Sequence, residues 1–275
     1  MKMHTYPADH MWRDLEFSME YDEQKRCIIR APVAPGLCGE QGTLQVGFIS
    51  TLFDLVGGEL AARTAYPDWI ATADLVLYSK ERARGGEFTA VAWVVRAGRS
   101  SIVIEADMQV RPRPRAAAVS VGSAMAAFTR LRSREDTAQV ARVDGPHQVF
   151  SLEGHVPSQR ILDKAGLRVL DEAAGAVEIG MSDYVRNAFH GLNGGVFGLL
   201  ADAAGQCAAR AASGRPLVTA DLAIHYLSMG KAGPFRTRAR VVRASRDSVL
   251  TRVEMVDAGK DDLLMAVAMN TATPA

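Results

Sequence analysis

The chain repeats itself. Thr72-Ala73-Asp74-Leu75 returns unchanged as Thr219-Ala220-Asp221-Leu222, 147 residues later. FTAVAWVVRAGRSSIVIEADM, from Phe88, returns as FRTRARVVRASRDSVLTRVEM, from Phe235, with Phe, Ala, Val-Val-Arg-Ala, Arg, Ser and Met in register. Leu52, Asp54 and Gly57 match Leu200, Asp202 and Gly205 at an offset of 148. A repeat of this length is a duplicated domain and not a short solenoid unit. Whatever fold one half adopts, the chain must contain twice.

A length of 275 residues suits two domains of ordinary size. The expected halves are 1–132 and 150–275, joined by a linker over 133–149 that opens with the polar, unpatterned SREDTAQVARVDG. A hydrophobic content of 48% supplies two cores or one shared core. The net charge of +1, with no basic tract, argues against nucleic acid. Cys27, Cys38 and Cys207 are odd in number and lack metal-ligand spacing, which points to free thiols in a reducing compartment and to no metal site. The start, MKMHTYPADHMWRDLEF, has no apolar stretch of the secretory kind. No apolar run reaches the ~18 residues that a membrane helix requires. A soluble, cytoplasmic protein is expected.

Each half reads in the same order. In the first, strand material from Leu15 to Val33 turns near Asp22-Glu23, and a Gly/Pro-rich loop follows from Ala34 to Gly42. A long helix runs from about Gln45 to Arg63, with few polar positions on any face, so most of it should be buried. Pro67 cannot continue it. Strands are predicted over 71–80, 88–96, 100–110 and 117–131. The second half predicts a short helix over 157–165, a strand pair over 167–182 and a loop over 183–192. A helix over 193–212 follows, then strands over 217–226, 235–243, 248–256 and 263–272. A helix followed by several strands, twice, gives α+β layers with antiparallel sheet.

Two acids stand out. Asp202 lies eight residues beyond Gly194 in a helix otherwise made of Val, Phe, Leu and Ala, and Asp54 lies eight beyond Val46 in the other. An acid in such a setting is costly unless something uses it. At ~1.5 Å per residue Asp202 sits roughly 12 Å from its own helix start, so it reaches a helix N-terminus only if the two long helices pack antiparallel. A helix N-terminus offers unpaired N–H groups and partial positive charge. Gly194 and Gly195 clear side chains from it, which suits an oxyanion hole. Asn187 and Asn193 add amide donors. Asp54, arriving from the other copy, would be the general base or nucleophile. Burial raises its pKa and an opposing helix end lowers it. Thr72, on the next strand, would hold the attacking water or orient the acid.

At these residues the chain resembles the hotdog-fold acyl-CoA thioesterases of the phenylacetate-degradation (PaaI-like) type, within the 4-hydroxybenzoyl-CoA thioesterase superfamily, in tandem form. The family pattern is Asn, then six residues on His-Gly-Gly, then an acid eight after the first of those glycines. Asn187, Asn193-Gly194-Gly195 and Asp202 fit that spacing, with Asn193 in the His place. Thr72 and Thr219 fit a strand Ser or Thr about eighteen residues after the acid, and Tyr226 and Gly233-Pro234 also resemble the family. The likeness covers nearly the whole chain. It implies a double hotdog: two antiparallel sheets, each wrapping a long central helix, with the halves forming an intramolecular pseudo-dimer.

The resemblance also implies two unequal sites. Site one joins Asp54 and Thr72 to Asn187, Asn193, Gly194 and Gly195. Site two joins Asp202 and Thr219 to Gly39, Gln45 and Val46, where family residues are missing. The expected function is hydrolysis of an acyl-CoA thioester, with no cofactor beyond the CoA of the substrate, in a homodimer of double-hotdog chains. Arg96, Arg99, Arg243 and Arg246, at recurring hairpin turns, suit CoA phosphates. The rival reading is a non-catalytic acyl-CoA or lipid-binding protein that lost rate with the His-to-Asn change. A hotdog hydratase would need His five residues after the Asp, where Glu59 and Cys207 stand.

Overall fold

The computed structural model describes residues 7, 9–79, 82–132, 147–149 and 159–275. The first half contains α1 (Met11–Asp14), β1 (Ser18–Tyr21), β2 (Cys27–Pro32), α2 (Val46–Ala65), β3 (Trp69–Ser79), β4 (Glu87–Ala97), β5 (Ser101–Arg111) and β6 (Val119–Leu131). A short strand, β7 (His147–Val149), comes from the end of the stretch read as linker and pairs with β1. The rest of that linker, 133–146, lies outside the described residues, as do most of the N-terminal arm and Lys80. The second half contains α3 (Ile161–Lys164), β8 (Arg168–Asp171), β9 (Ala176–Ile179), α4 (Gly194–Ser213), β10 (Leu217–Tyr226), β11 (Phe235–Ala244), β12 (Val249–Asp257) and β13 (Leu263–Pro274).

The expectation of two sheets is corrected. All thirteen strands of the described residues belong to one antiparallel sheet, in the order β7-β1-β2-β4-β5-β6-β3-β10-β13-β12-β11-β9-β8. The join is the β3–β10 ladder, where Val76 pairs with Ala223, its own counterpart in the repeat, and Asp74 faces His225. The reason is the edge problem. Each half alone would end in a strand with a row of unpaired backbone N–H and C=O groups, and antiparallel pairing of the two satisfies both. His225 and Asp74 add a side-chain contact across the seam.

Helix α2 lies against β2 to β6, and α4 against β9 to β13, and the two helices pack on each other. The near absence of polar faces on α2 is explained by this. Phe48, Leu52, Phe53 and Val56 are wholly buried, each worth about 1.5–3 kcal/mol relative to exposure. One contiguous buried cluster includes residues of both halves, so the core is shared. Helix α4 is capped at both ends. The Asn193 side chain accepts from the Gly195 N–H, and Gly214 turns left-handed at the C-terminus, φ +66°. Helix α2 starts at Gln45 with no side-chain cap. No helix of the described residues is long and apolar enough to cross a membrane.

The two matched glycines late in the helices differ in their surroundings. A β-carbon at Gly205 would lie 2.6 Å from Asn270 Cγ and 2.8 Å from its Cβ, whereas one at Gly57 would come no closer than 3.3 Å, to the Phe128 ring, with Ile104 at 3.7 Å. Gly205→Ala is therefore expected to lose about 1–3 kcal/mol of stability by overpacking, and Gly57→Ala clearly less. Thermal or urea denaturation of the two variants checks this; equal losses would contradict it.

Candidate active site at the crossing of the long helices

The helices cross antiparallel, so that the start of each faces the middle of the other. Gly47, near the start of α2, donates its N–H to Asp202 Oδ2 at 2.9 Å. Gly194, the first residue of α4, faces Asp54: a β-carbon there would sit 2.5 Å from Asp54 Oδ2. Each acid thus stands beside the other half's helix start, as the spacing within the helices requires. Thr51 locks the crossing, donating its hydroxyl to the Gly195 carbonyl at 2.9 Å and the Gly47 carbonyl at 2.8 Å.

At site one, Asp54 is largely buried yet lightly bonded. Its Oδ1 accepts from the Thr72 hydroxyl at 2.8 Å. Its Oδ2 has no donor among the described residues. Burial pushes its carboxyl up to about 6, opposed by the Thr72 hydrogen bond. Hydrogen bonds to the ionised form are what keep a buried carboxylate charged, and this one has a single such bond. Two N–H groups of the facing helix start are already taken: Gly195 by Asn193 Oδ1 at 3.0 Å, and Val196 by the Asn193 carbonyl at 3.0 Å. The Gly194 N–H meets no acceptor among the described residues. Tyr226 donates its hydroxyl to the Gly194 carbonyl at 3.3 Å. Burial, then the nearby Asp54, hold that phenol well above its ordinary range, so it stays neutral. Together these groups place an uncommitted carboxylate oxygen beside an uncommitted backbone N–H, the pairing a carbonyl and an attacking water require.

At site two the same acid is fully engaged. Asp202 accepts from Gly47 N–H, from Gln206 Nε2 at 2.7 Å and from the Thr219 hydroxyl. Thr219 in turn accepts from Asn270 Nδ2 at 2.9 Å. Burial raises the Asp202 pKa, opposed first by Thr219, then by Gln206 and Gly47. Val46 stands where site one has Gly194, so a side chain replaces the glycine hydrogen at the start of α2. A cleft of about 260 Å³ opens here, lined by residues that include Gln45, Val46, Arg82, Gln206, Arg210 and Thr219. Arg82 donates to the Thr219 carbonyl at 2.6 Å and to Thr273 Oγ1 at 2.8 Å.

The other sequence-predicted residues fall as follows. Asn187 holds its own loop: Oδ1 accepts from the N–H groups of Phe189 and Gly191, each at 2.9 Å, and Nδ2 donates to the Leu192 carbonyl at 3.1 Å. One amide hydrogen remains beyond that bond. Asn193 is the α4 cap, buried. Arg96, Arg99, Arg243 and Arg246 are exposed at the β4–β5 and β11–β12 turns, and none of the contacts of Asp54, Thr72 or Gly194 involves them. His190 lies in the 187–192 loop with φ 60°. The loop touches the first half through Phe189, whose ring meets Trp69 edge-on at 4.5 Å.

Reading the sequence for chemistry missed Thr51, Gln206 and the Tyr226 contact. Tyr226 is matched by Ser79 in the repeat, in a stretch where the copies have already diverged after Leu75 and Leu222, so comparing the copies gave no signal for it. Among the described residues no group of three His, Cys, Asp or Glu side chains is placed to hold a metal ion.

A family model described as the thioesterase superfamily matches residues 41–116 and 189–263, one segment in each half. No curated protein matches the chain. Among solved structures, a tesB protein of Mycobacterium avium subsp. paratuberculosis aligns with a TM-score of 0.64 at 12% identity, over 96% of this chain and 97% of that one. An acyl-CoA thioesterase II (TesB2) from Mycobacterium marinum aligns with a TM-score of 0.62 at 12% identity, over 96% and 98%. An acyl-ACP thioesterase from Bacteroides thetaiotaomicron aligns with a TM-score of 0.56 at 11% identity, over 91% and 98%. At these identities the structural likeness speaks to the fold.

Proposed function

The chain belongs to the thioesterase superfamily, and from that premise we propose that it hydrolyses acyl-CoA thioesters at the site that joins Asp54 and Thr72 to Gly194. The observation that carries this is the Asp54 Oδ2 oxygen, free of donors among the described residues and directed at the start of α4. In the reaction, Asp54 takes a proton from water as its oxygen attacks the carbonyl carbon. The oxyanion that forms is held by the Gly194 N–H, aided by the positive end of α4. The tetrahedral intermediate collapses to the carboxylic acid, and the departing CoA thiolate takes the proton from Asp54. A thioester is already activated, so these steps call on no cofactor. Nucleophilic attack by Asp54 itself, through an anhydride, uses the same atoms.

Thr72 anchors the unreactive oxygen of Asp54. Tyr226 fixes the first peptide of α4, and Asn187 shapes the loop that leads to it, with its second amide hydrogen available to a ligand. The turn arginines Arg96, Arg99, Arg243 and Arg246 serve the CoA phosphates in this reading. The division into halves 1–132 and 150–275, a cytoplasmic location and pairing of two chains belong to the same proposal. Exposed Val94-Val95 and their counterparts Val241-Val242 offer matched apolar surface for that pairing.

The cleft at site two supports a second reading, in which acyl-CoA binds there without turnover. Thiol release by the wild-type protein across short, long and aromatic acyl-CoAs tests the first. Release above the spontaneous rate for at least one substrate is expected. Saturable CoA binding with no release from any would favour the second.

A further inference from the structure

We propose that Asn193 is the positioning residue that decides which of the two matched acids is free to react: by capping its own helix, it withholds the Gly195 N–H from Asp54. The inference rests on the reading of Asp54 as the reactive acid, and its argument is the comparison the duplication provides. At an offset of 148, Asn193 matches Gln45, Gly195 matches Gly47 and Asp202 matches Asp54. At the start of α2, Gln45 makes no cap bond; its side chain lies against Gly39 instead, with Cγ 3.3 Å from that residue's β-position. The Gly47 N–H is therefore unclaimed and bonds the opposing acid, Asp202, at 2.9 Å. At the start of α4, Asn193 has the shorter side chain that reaches the N–H two residues on, as favoured cap residues do, and takes Gly195 at 3.0 Å. Among the described residues Asp54 is left with Thr72 as its one donor.

The difference is one N–H, moved from the opposing acid to the local cap. A backbone N–H aimed at a carboxylate stabilises its ionised form and reduces its tendency to take a proton. Asp202 is buried and Asp54 largely so, but only Asp54 has an oxygen that no donor of the described residues holds. The other groups that face Asp54 leave this balance alone. Among the described residues Tyr226, on β10, is the titratable group that feels Asp54, and it is neutral. Thr72 on β3 is uncharged, and no charged side chain of α4 or of β2 to β6 acts on Asp54. The acid that keeps its freedom is the one opposite the asparagine.

The test compares Asn193→Ala, which removes the acceptor, with Asn193→Ser, which restores one. Asn193→Gly serves in place of Ala if that variant folds poorly, since Gly at a cap costs far less than Ala. Two readouts are taken on folded protein: the Asp54 titration midpoint by carbon-13 NMR of the carboxyl, and the acid limb of kcat/KM against pH. With Ala, the midpoint is expected to fall by about one unit, a tenfold change in the protonation equilibrium, with the kinetic limb moving the same way. Ser keeps both near wild type. An unchanged midpoint in the Ala and Gly variants overturns the inference, as does an equal shift in Ser. The NMR arm needs no turnover, so a wild-type protein that hydrolyses nothing would sink the proposed activity while leaving this measurement able to decide the role of Asn193.

Discussion

Asp54→Asn is expected to lower kcat/KM for thiol release by about a thousandfold or more, the upper part of the range for loss of a general base, and at the same time to make the protein more stable at neutral pH. Asp202→Asn is expected to keep most of the rate. The rate contrast follows from what holds each acid. Asp54 has one donor and one free oxygen beside the α4 start. Asp202 has three donors, one each on α2, α4 and β10. The stability effect follows from linkage. The folded-state pKa of Asp54 is about 6, above the ordinary 3.8. Between those values the folded protein holds more proton than the unfolded chain, so stability falls as pH rises through this window. Above it the cost is complete, on the order of 1–3 kcal/mol for a shift of about two units. Asn keeps the shape and the Thr72 contact without the charge, so the cost disappears. Thiol release and thermal melts at pH 7 on both variants check this. Equal partial losses of rate would mean that both sites turn over.

Gly194→Ala is the second large effect, expected to be about a hundredfold in kcat/KM with little change in melting temperature. The new β-carbon would sit 2.5 Å from Asp54 Oδ2, closer than any real contact. Something must move, and the least costly motion is rotation of the Asp54 carboxylate, since the nearest atom is the far end of a side chain. Ala also suits a helix start better than Gly does, which offsets the crowding. A displacement of about an ångström at a reacting group costs on the order of a hundredfold. Site two already carries this change in natural form: Val46 is there, and its acid has settled over the Gly47 N–H. A variant that keeps full rate would remove Gly194 from the site; one that unfolds would make the glycine a packing residue.

The duplication was legible in the sequence, and so was the element order apart from β7, which falls at the end of the stretch expected to be linker; both rest on local pattern. The antiparallel crossing also followed from sequence, since an acid two turns inside an apolar helix has few places to be satisfied. The single sheet was not legible. Pairing of β3 with β10 joins residues from 143 to 151 apart in sequence by backbone hydrogen bonds, and no side-chain pattern reports that. The asymmetry of the sites was half legible. Val46 against Gly194 and Gln45 against Asn193 stand in the sequence as differences between the copies. What the letters do not show is that the Asn193 oxygen accepts from the Gly195 N–H and caps α4. Asn187 likewise spends its oxygen and one amide hydrogen on its own loop. A side-chain amide in a turn satisfies nearby backbone first, and the letters do not reveal how much is left over.

The most direct measurement of the central claim is the pH dependence of kcat/KM for the wild-type protein, which reports the ionisations of the free enzyme. A base held at about 6 by burial predicts a limb with its midpoint near that pH, activity falling below it and flat above until another group titrates. A profile that stays flat down to the ordinary carboxylate range would contradict the account, because no acid in the conformation described for Asp54 could then be the group that activates water.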